Sequence, residues 1–81
     1  MSYYVYLIKS FGSQKNKTYV GYTNDLKKRI ILHNTGKGAK STRGYKWKII
    51  FKKKFFLKTK AMSFEYRLKK NRTLRKKIIS L

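Results

Sequence analysis

The stretch Thr18–Asn34, "TYVGYTNDLKKRIILHN", decides how the chain is read. Its first five residues are aromatic, β-branched or glycine and suit a strand. Its second half has helical spacing and opens on polar residues able to cap a helix. Thr23 or Asn24 is the expected cap, with Asp25 in the first turn where the helix dipole favours a negative charge. The helix is expected to run to about Asn34 and to stop at "TGKG". Arg29 and His33, four residues apart, share one face of it. They border Leu26, which puts them at the rim of the buried side. This is either a basic helix that only grips a polyanion or half of a site that cuts one.

Working outward, residues 3–8, "YYVYLI", are apolar throughout, as a strand covered on both faces requires. "SFGSQKNK" is a short turn-rich link to "TYVGY", so the two strands form an antiparallel hairpin. On the other side, "GKGAKSTRG" is a small basic loop with three glycines. "YKWKIIFKKKFF" alternates as a third strand, with Trp47, Ile49 and Phe51 expected on one face. Trp47 can serve as core or as a stacking surface for an unpaired base. "LKTKAMSFEYRLKK" is a helix with Thr59 as its expected cap, and the basic segment from Asn71 is a short terminal helix. The fold class is therefore α/β (α+β): a small three-stranded antiparallel sheet flanked by helices. Eighty-one residues leave room for one core, so residues 1–81 are expected to form a single domain.

Charge is the strongest compositional fact. Twenty-three Lys and Arg oppose two acids, a formal net charge of +21. Such a field repels itself and attracts polyanions. With 16% aromatic residues, nucleic acid is the expected partner, DNA ahead of RNA, held in a salt-dependent way. No cysteine is present, which excludes disulfides and cysteine zinc sites. Lysines interrupt every apolar run, so no membrane span is expected. The chain starts directly on strand-like sequence without the features of a secretory signal, and a cytoplasmic location is the expectation.

With only two acids, each can be weighed. Asp25 is accounted for by the helix start. Glu65 projects from within the apolar stripe Ala61, Phe64 and Leu68 of its helix. A carboxylate there is costly unless paired or metal-bound. It fits a hard cation such as Mg²⁺ or Mn²⁺, or an ion pair with a nearby lysine or arginine. Arginine matches a phosphate bidentately, and histidine can accept or hand over a proton. Tyr6 and Tyr19, on the two hairpin strands, can approach across or diagonally and orient a water. Singly, each has an ordinary structural explanation. Together they are the groups that phosphodiester hydrolysis uses.

"YVYLIKS" followed by "TYVGYTNDLKKRIILHN" resembles the paired signature of the GIY-YIG nuclease superfamily. Tyr4-Val5-Tyr6 stands at the first tripeptide and Tyr19-Val20-Gly21 at the second. "HNTGKGAKSTRGYKWKIIF" and "KAMSFEYRLKK" are similar to the continuation in small single-domain bacterial members, related to the N-terminal nuclease domain of the bacterial excision-repair nuclease. The resemblance spans essentially the whole chain. It implies an endonuclease with one divalent cation, Mg²⁺ or Mn²⁺, directed by DNA structure rather than sequence and acting in repair or processing. Position by position, Tyr6 and Tyr19 match the motif tyrosines, Arg29 the helix arginine, His33 a histidine of several branches and Glu65 the metal-binding glutamate. There are departures. Tyr4 replaces a glycine, and Tyr22 stands where excision-repair relatives carry a lysine. Asn71 is the one candidate for a late asparagine. The alternative is a non-catalytic basic module that binds nucleic acid on a nuclease-like fold.

Overall fold

A computed structural model of the chain describes residues 2–12 and 16–80. The strands are β1 (Tyr3–Phe11), β2 (Thr18–Thr23) and β3 (Lys46–Phe55), and the helices are α1 (Leu26–Asn34), α2 (Lys58–Lys70) and α3 (Arg72–Ile79). A single 3₁₀ turn, Lys40–Thr42, lies between α1 and β3. The sheet is antiparallel in the order β2-β1-β3, so the α/β (α+β) expectation holds. β1 lies in the middle, and Val5, Tyr6, Leu7 and Ile8 are all buried, as a strand covered on both faces must be. The link expected over residues 10–17 falls partly outside the described residues, at 13–15. Its closing bonds are described: Ser10 N–H donates to the Lys17 carbonyl at 2.8 Å, and Lys17 N–H to Ser10 Oγ at 2.7 Å.

Side chains of β1 alternate between two cores. Val5 and Leu7 join Val20, Ala61 and Leu68, with Phe51, Phe55, Phe64, Leu74 and Ile78 packed around them. Tyr6 and Ile8 join Trp47 on the opposite face, with Tyr19, Leu26, Ile30 and Tyr45. Helices α2 and α3 therefore cover one face and α1 the other. The stripe Ala61, Phe64 and Leu68 faces the core as its spacing predicts.

Three local expectations are corrected. Trp47 and Phe51 do not share a face. Leu7 pairs with Phe51 but Ile8 pairs with Ile49, so Ile50 is an inserted bulge residue. One extra residue in a period of two moves all that follows to the other side. Trp47 thus sits with Tyr6, and Phe51 with Leu7. Second, the cap of α1 is Asp25 itself, whose Oδ1 accepts from Lys28 N–H at 3.1 Å. Thr23 supports it by accepting from Asp25 N–H at 3.1 Å. Third, Thr59 lies inside α2, whose N-cap is Leu57 with no side-chain cap bond. Asn71 caps α3 by accepting from Leu74 N–H at 2.9 Å.

α1 ends where its sequence says it should. Gly36 takes φ 77°, a left-handed conformation that glycine adopts without a Cβ penalty. Lys37 N–H then reaches back to the Leu32 carbonyl at 2.8 Å and Gly36 N–H to the His33 carbonyl at 3.4 Å. These two bonds satisfy carbonyls that the helix end leaves open.

Candidate active site

The cluster is built from the hairpin upward. Tyr6 pairs with Gly21 across β1 and β2, so its ring crosses over a residue without a side chain. A Cβ at position 21 would lie 2.5 Å from the Tyr6 hydroxyl and 3.1 Å from the Tyr19 ring. The glycine of the second tripeptide is therefore the space the first tyrosine occupies. Tyr19 stands diagonally from Tyr6, ring centroids 6.4 Å apart, as the hairpin reading allows.

α1 brings His33 and Arg29 onto this pair, with the shared face that their spacing predicts. His33 is 0% exposed, fully inside the fold and not at the rim as expected. Its Nε2 is 2.8 Å from the Tyr6 hydroxyl, and its ring lies 5.0 Å from that of Tyr19. Arg29 remains half-buried and donates from Nε to the Tyr6 hydroxyl at 3.4 Å. The Tyr6 phenol is thus held between a guanidinium and an imidazole.

Burial pushes the Tyr6 pKa above its ordinary value of 10.0, against the downward pull of Arg29. Tyr6 is thus a protonated donor at neutral pH. Burial, and secondarily the Arg29 charge, pull His33 below 6.5, so the imidazole is neutral there. The bond to Tyr6 is the leading reason that the Arg29 guanidinium is held more firmly in its charged form. A neutral acceptor, a phenol and a fixed cation are arranged in a row.

Glu65 comes from α2. Its side chain is 17% exposed and pairs with Lys69 Nζ at 3.6 Å, one turn on. Its charge reaches Tyr6, where it adds to the upward push on the phenol. Lys69 in turn lines a cleft of about 200 Å³ with Thr18, Tyr19, Val20 and Arg75. A second cleft, about 410 Å³, is lined by Tyr3, Tyr22, Thr23, Asn24, Arg29 and Lys58. The two clefts lie along the edge strand β2, and each combines tyrosine with two cations.

Among the described residues no group of three or more His, Cys, Asp or Glu could enclose a metal ion. The carboxylate donor on offer is Glu65. One hard oxygen donor suits a cation that keeps most of its water and takes other ligands from a phosphate, which is the habit of Mg²⁺. It does not suit zinc, which takes three or four protein ligands. The donor set fits Mg²⁺ or Mn²⁺.

Several residues of the site escape a reading of the sequence. Thr42, in the 3₁₀ turn, is 0% exposed and sits 3.0 Å from His33 Nδ1. A Cβ on Gly38 would lie 2.6 Å from that same nitrogen, so the loop closes onto the imidazole there. Trp47 belongs to the core at 3% exposure, donating from Nε1 to the Thr42 carbonyl at 2.9 Å. Asn34 joins the end of α1 to β3 by two bonds to the Trp47 backbone, at 2.5 and 3.1 Å. A threonine in a glycine-rich loop has no periodicity to mark it, and the three glycines around it are the one available signal.

Comparison with known proteins agrees with this architecture. A UPF0213 protein of Oceanobacillus iheyensis is 44% identical over 68 residues, 83% of this chain and 76% of the relative. The UPF0213 protein YazA of Bacillus subtilis is 43% identical over 70 residues, 85% of this chain and 68% of its own. The solution NMR structure of a UPF0213 protein from Bacillus halodurans superposes with a TM-score of 0.56 at 34% identity, covering 99% of this chain and 84% of the other. No described helix is long and apolar enough to cross a membrane. The family model described as the GIY-YIG catalytic domain matches residues 2–78, and the chain belongs to that nuclease-type family.

Proposed function

We propose that this protein is an endonuclease that hydrolyses phosphodiester bonds in DNA, recognising the shape of its substrate rather than its sequence, in repair or processing. The observation that carries the reading is the Tyr6 phenol clamped between Arg29 and a buried, neutral His33. A structural core has no use for that arrangement, since a phenylalanine would fill the same volume without three polar groups to satisfy.

In this reading the scissile phosphate lies over β2, with its flanking phosphates in the two cationic clefts. Arg29 faces the phosphate and offsets the charge that develops on its oxygens. Tyr6 and Tyr19 orient the attacking water. As the water oxygen bonds to phosphorus, its proton passes to the Tyr6 oxygen while the Tyr6 proton moves to His33 Nε2; the bond from phosphorus to the leaving sugar oxygen breaks, and that oxygen takes a proton from solvent. Glu65 would hold one divalent cation, Mg²⁺ or Mn²⁺, which when bound would polarise the phosphate and offset charge on the leaving oxygen. With +21 net charge the remaining lysines follow the backbone, which carries no sequence information.

The ion pair between Glu65 and Lys69 favours the second reading, a module that binds nucleic acid without cutting it. Supercoiled plasmid and branched DNA, incubated with Mg²⁺ or Mn²⁺, separate the two. The nuclease reading expects nicking that stops in Glu65→Gln and in Arg29→Ala while binding is largely kept. Binding without nicking, unchanged by Glu65→Gln, establishes the second reading instead.

A further inference from the structure

The hydrogen-bond chain that runs inward from Tyr6 can be assigned proton by proton. It ends on the Ala39 carbonyl, which can only accept. The Thr42 hydroxyl lies 2.8 Å from that carbonyl and has one proton, so it donates there. Toward His33 Nδ1, at 3.0 Å, the same oxygen must then accept. Nδ1 therefore carries the single proton of the neutral ring, and Nε2 presents its lone pair to the Tyr6 hydroxyl at 2.8 Å. Tyr6 donates to it, which leaves the phenol oxygen to accept from Arg29 Nε. The direction is the same at every link, from Arg29 to Tyr6, His33, Thr42 and Ala39.

The other tautomer fails at both ends. With the proton on Nε2, both bonds described at the Tyr6 oxygen would be donated to it, and the phenol proton would have no acceptor among them. At the inner end, the bare Nδ1 would face an oxygen whose proton is committed to Ala39.

We propose that Thr42 is a positioning residue, whose hydroxyl holds His33 in the Nδ1–H form so that Nε2 is the proton acceptor for Tyr6. The bearing on cleavage rests on the nuclease reading above; the tautomer itself does not. The backbone around Thr42 is fixed for the purpose. Its N–H donates to the Ala39 carbonyl at 3.1 Å, and its own carbonyl takes the Trp47 indole proton. Trp47 is tied to Asn34 on the helix that bears His33. Imidazole and hydroxyl thus belong to one stitched unit. This gives the loop "GKGAKSTRG" a second role beyond its positive charge: it carries the group that orients the histidine.

The chain contains one histidine, so its ring nitrogens can be read without ambiguity by ¹⁵N NMR. The expected wild-type spectrum shows a protonated Nδ1 and an unprotonated Nε2. Thr42→Val keeps the shape and removes the hydroxyl, and should move the ring toward the Nε2–H form. Thr42→Ser should restore the wild-type pattern. In plasmid nicking, Thr42→Val should lose about 10- to 100-fold in kcat with KM little changed, by analogy with the loss seen when a partner that orients a metal-ligating histidine is removed. Thr42→Ser should recover most of it.

An Nε2–H wild-type ring overturns the proposal, as does a Thr42→Val spectrum identical to wild type. Should Thr42→Val not fold, the wild-type and Thr42→Ser spectra decide alone. If the wild-type protein binds DNA and never cuts it, the nuclease reading falls, and the tautomer measurement still decides what Thr42 does.

Discussion

The two faces of the sheet are built on different principles, although one strand supplies both. Val5 and Leu7 point into a core of aliphatic and phenylalanine side chains beneath α2 and α3. Tyr6 and Ile8, their immediate neighbours, point into a face where the large polar-ended groups have those ends in use: Tyr6 on His33, His33 on Thr42, Trp47 on the Thr42 carbonyl. The first face stabilises by removing apolar area from water, which is non-directional and tolerant of repacking. The second is held by directional bonds between buried groups, where one missing partner leaves a buried polar group unsatisfied. Alternation along β1 thus separates an apolar core from a hydrogen-bonded one. The edge strand β2 takes part in both, with Val20 on the apolar side and Tyr19 on the wired one.

This division predicts different responses to damage. The largest loss of stability should come from the apolar face. Leu68 is fully buried there, and Leu68→Ala should cost roughly 2–5 kcal/mol, from lost transfer energy and a residual cavity. That is a large share of the stability of so small a domain. Urea unfolding measures it. While folded, the variant should keep the wild-type His33 tautomer, because the buried cluster of Leu68 is not the one that holds Tyr6 and Trp47. A changed His33 spectrum in folded Leu68→Ala would show that the two faces are not separable.

A smaller cost with a more specific consequence is expected at Gly21. A methyl group there meets the Tyr6 hydroxyl and ring at 2.5 and 2.7 Å, so Tyr6 has to give way, and its burial makes that costly. Overpacking of this kind costs about 1–3 kcal/mol. The ring must move away from β2, lengthening or breaking its bond to His33. Gly21→Ala should therefore lose cleavage out of proportion to its loss of stability. Folded, fully active Gly21→Ala would mean that the close approach of Tyr6 to β2 has no bearing on the chemistry.

How much of this can be read in advance follows from which interactions leave a periodic trace. The sheet, its hairpin and the helices are legible because a central strand is an unbroken apolar run, an outer strand alternates every two residues and a helix repeats every three to four. Arg29 with His33 and Tyr6 with Tyr19 are legible for the same reason, as pairs at helical and cross-strand spacing. The bulge at Ile50 is not: it is a single insertion inside a run of apolar residues, where either phase of "WKIIF" looks equally good. Nor is the depth of His33, because helix spacing gives a direction around the axis and not what the loop beyond it will cover. Thr42 is the extreme case. Its importance comes from a contact nine residues away in sequence, made by a loop whose composition advertises only flexibility and charge. That Asp25 is the cap, and not the residue before it, is a matter of one position within a polar cluster, a margin that composition does not resolve.

The smallest expected effect is the one that tells the faces apart most cleanly, since only one of them can respond to pH near neutrality. His33 is neutral in the fold, its pKa lowered by burial and by Arg29, with Tyr6 and Tyr19 the other titratable groups against it. An unfolded chain protonates its histidine near 6.5, before the folded one does. The unfolded state therefore binds more protons as pH falls below that value, and stability must decline. The contribution of neutral His33 is complete above pH 6.5 and is lost as the pH drops from there through the lowered folded value. Denaturation at a series of pH values from about 7.5 to 5.5 reads this slope, in a window that ordinary carboxylates do not enter. His33→Gln should flatten it, whereas Leu68→Ala should shift the whole curve down and leave its slope alone. A wild-type stability that rises as the pH falls through the window would mean that the imidazole is already charged in the folded protein. It would then donate from both nitrogens, and Tyr6 would be bonded as an acceptor on both sides, with no group left to take its proton.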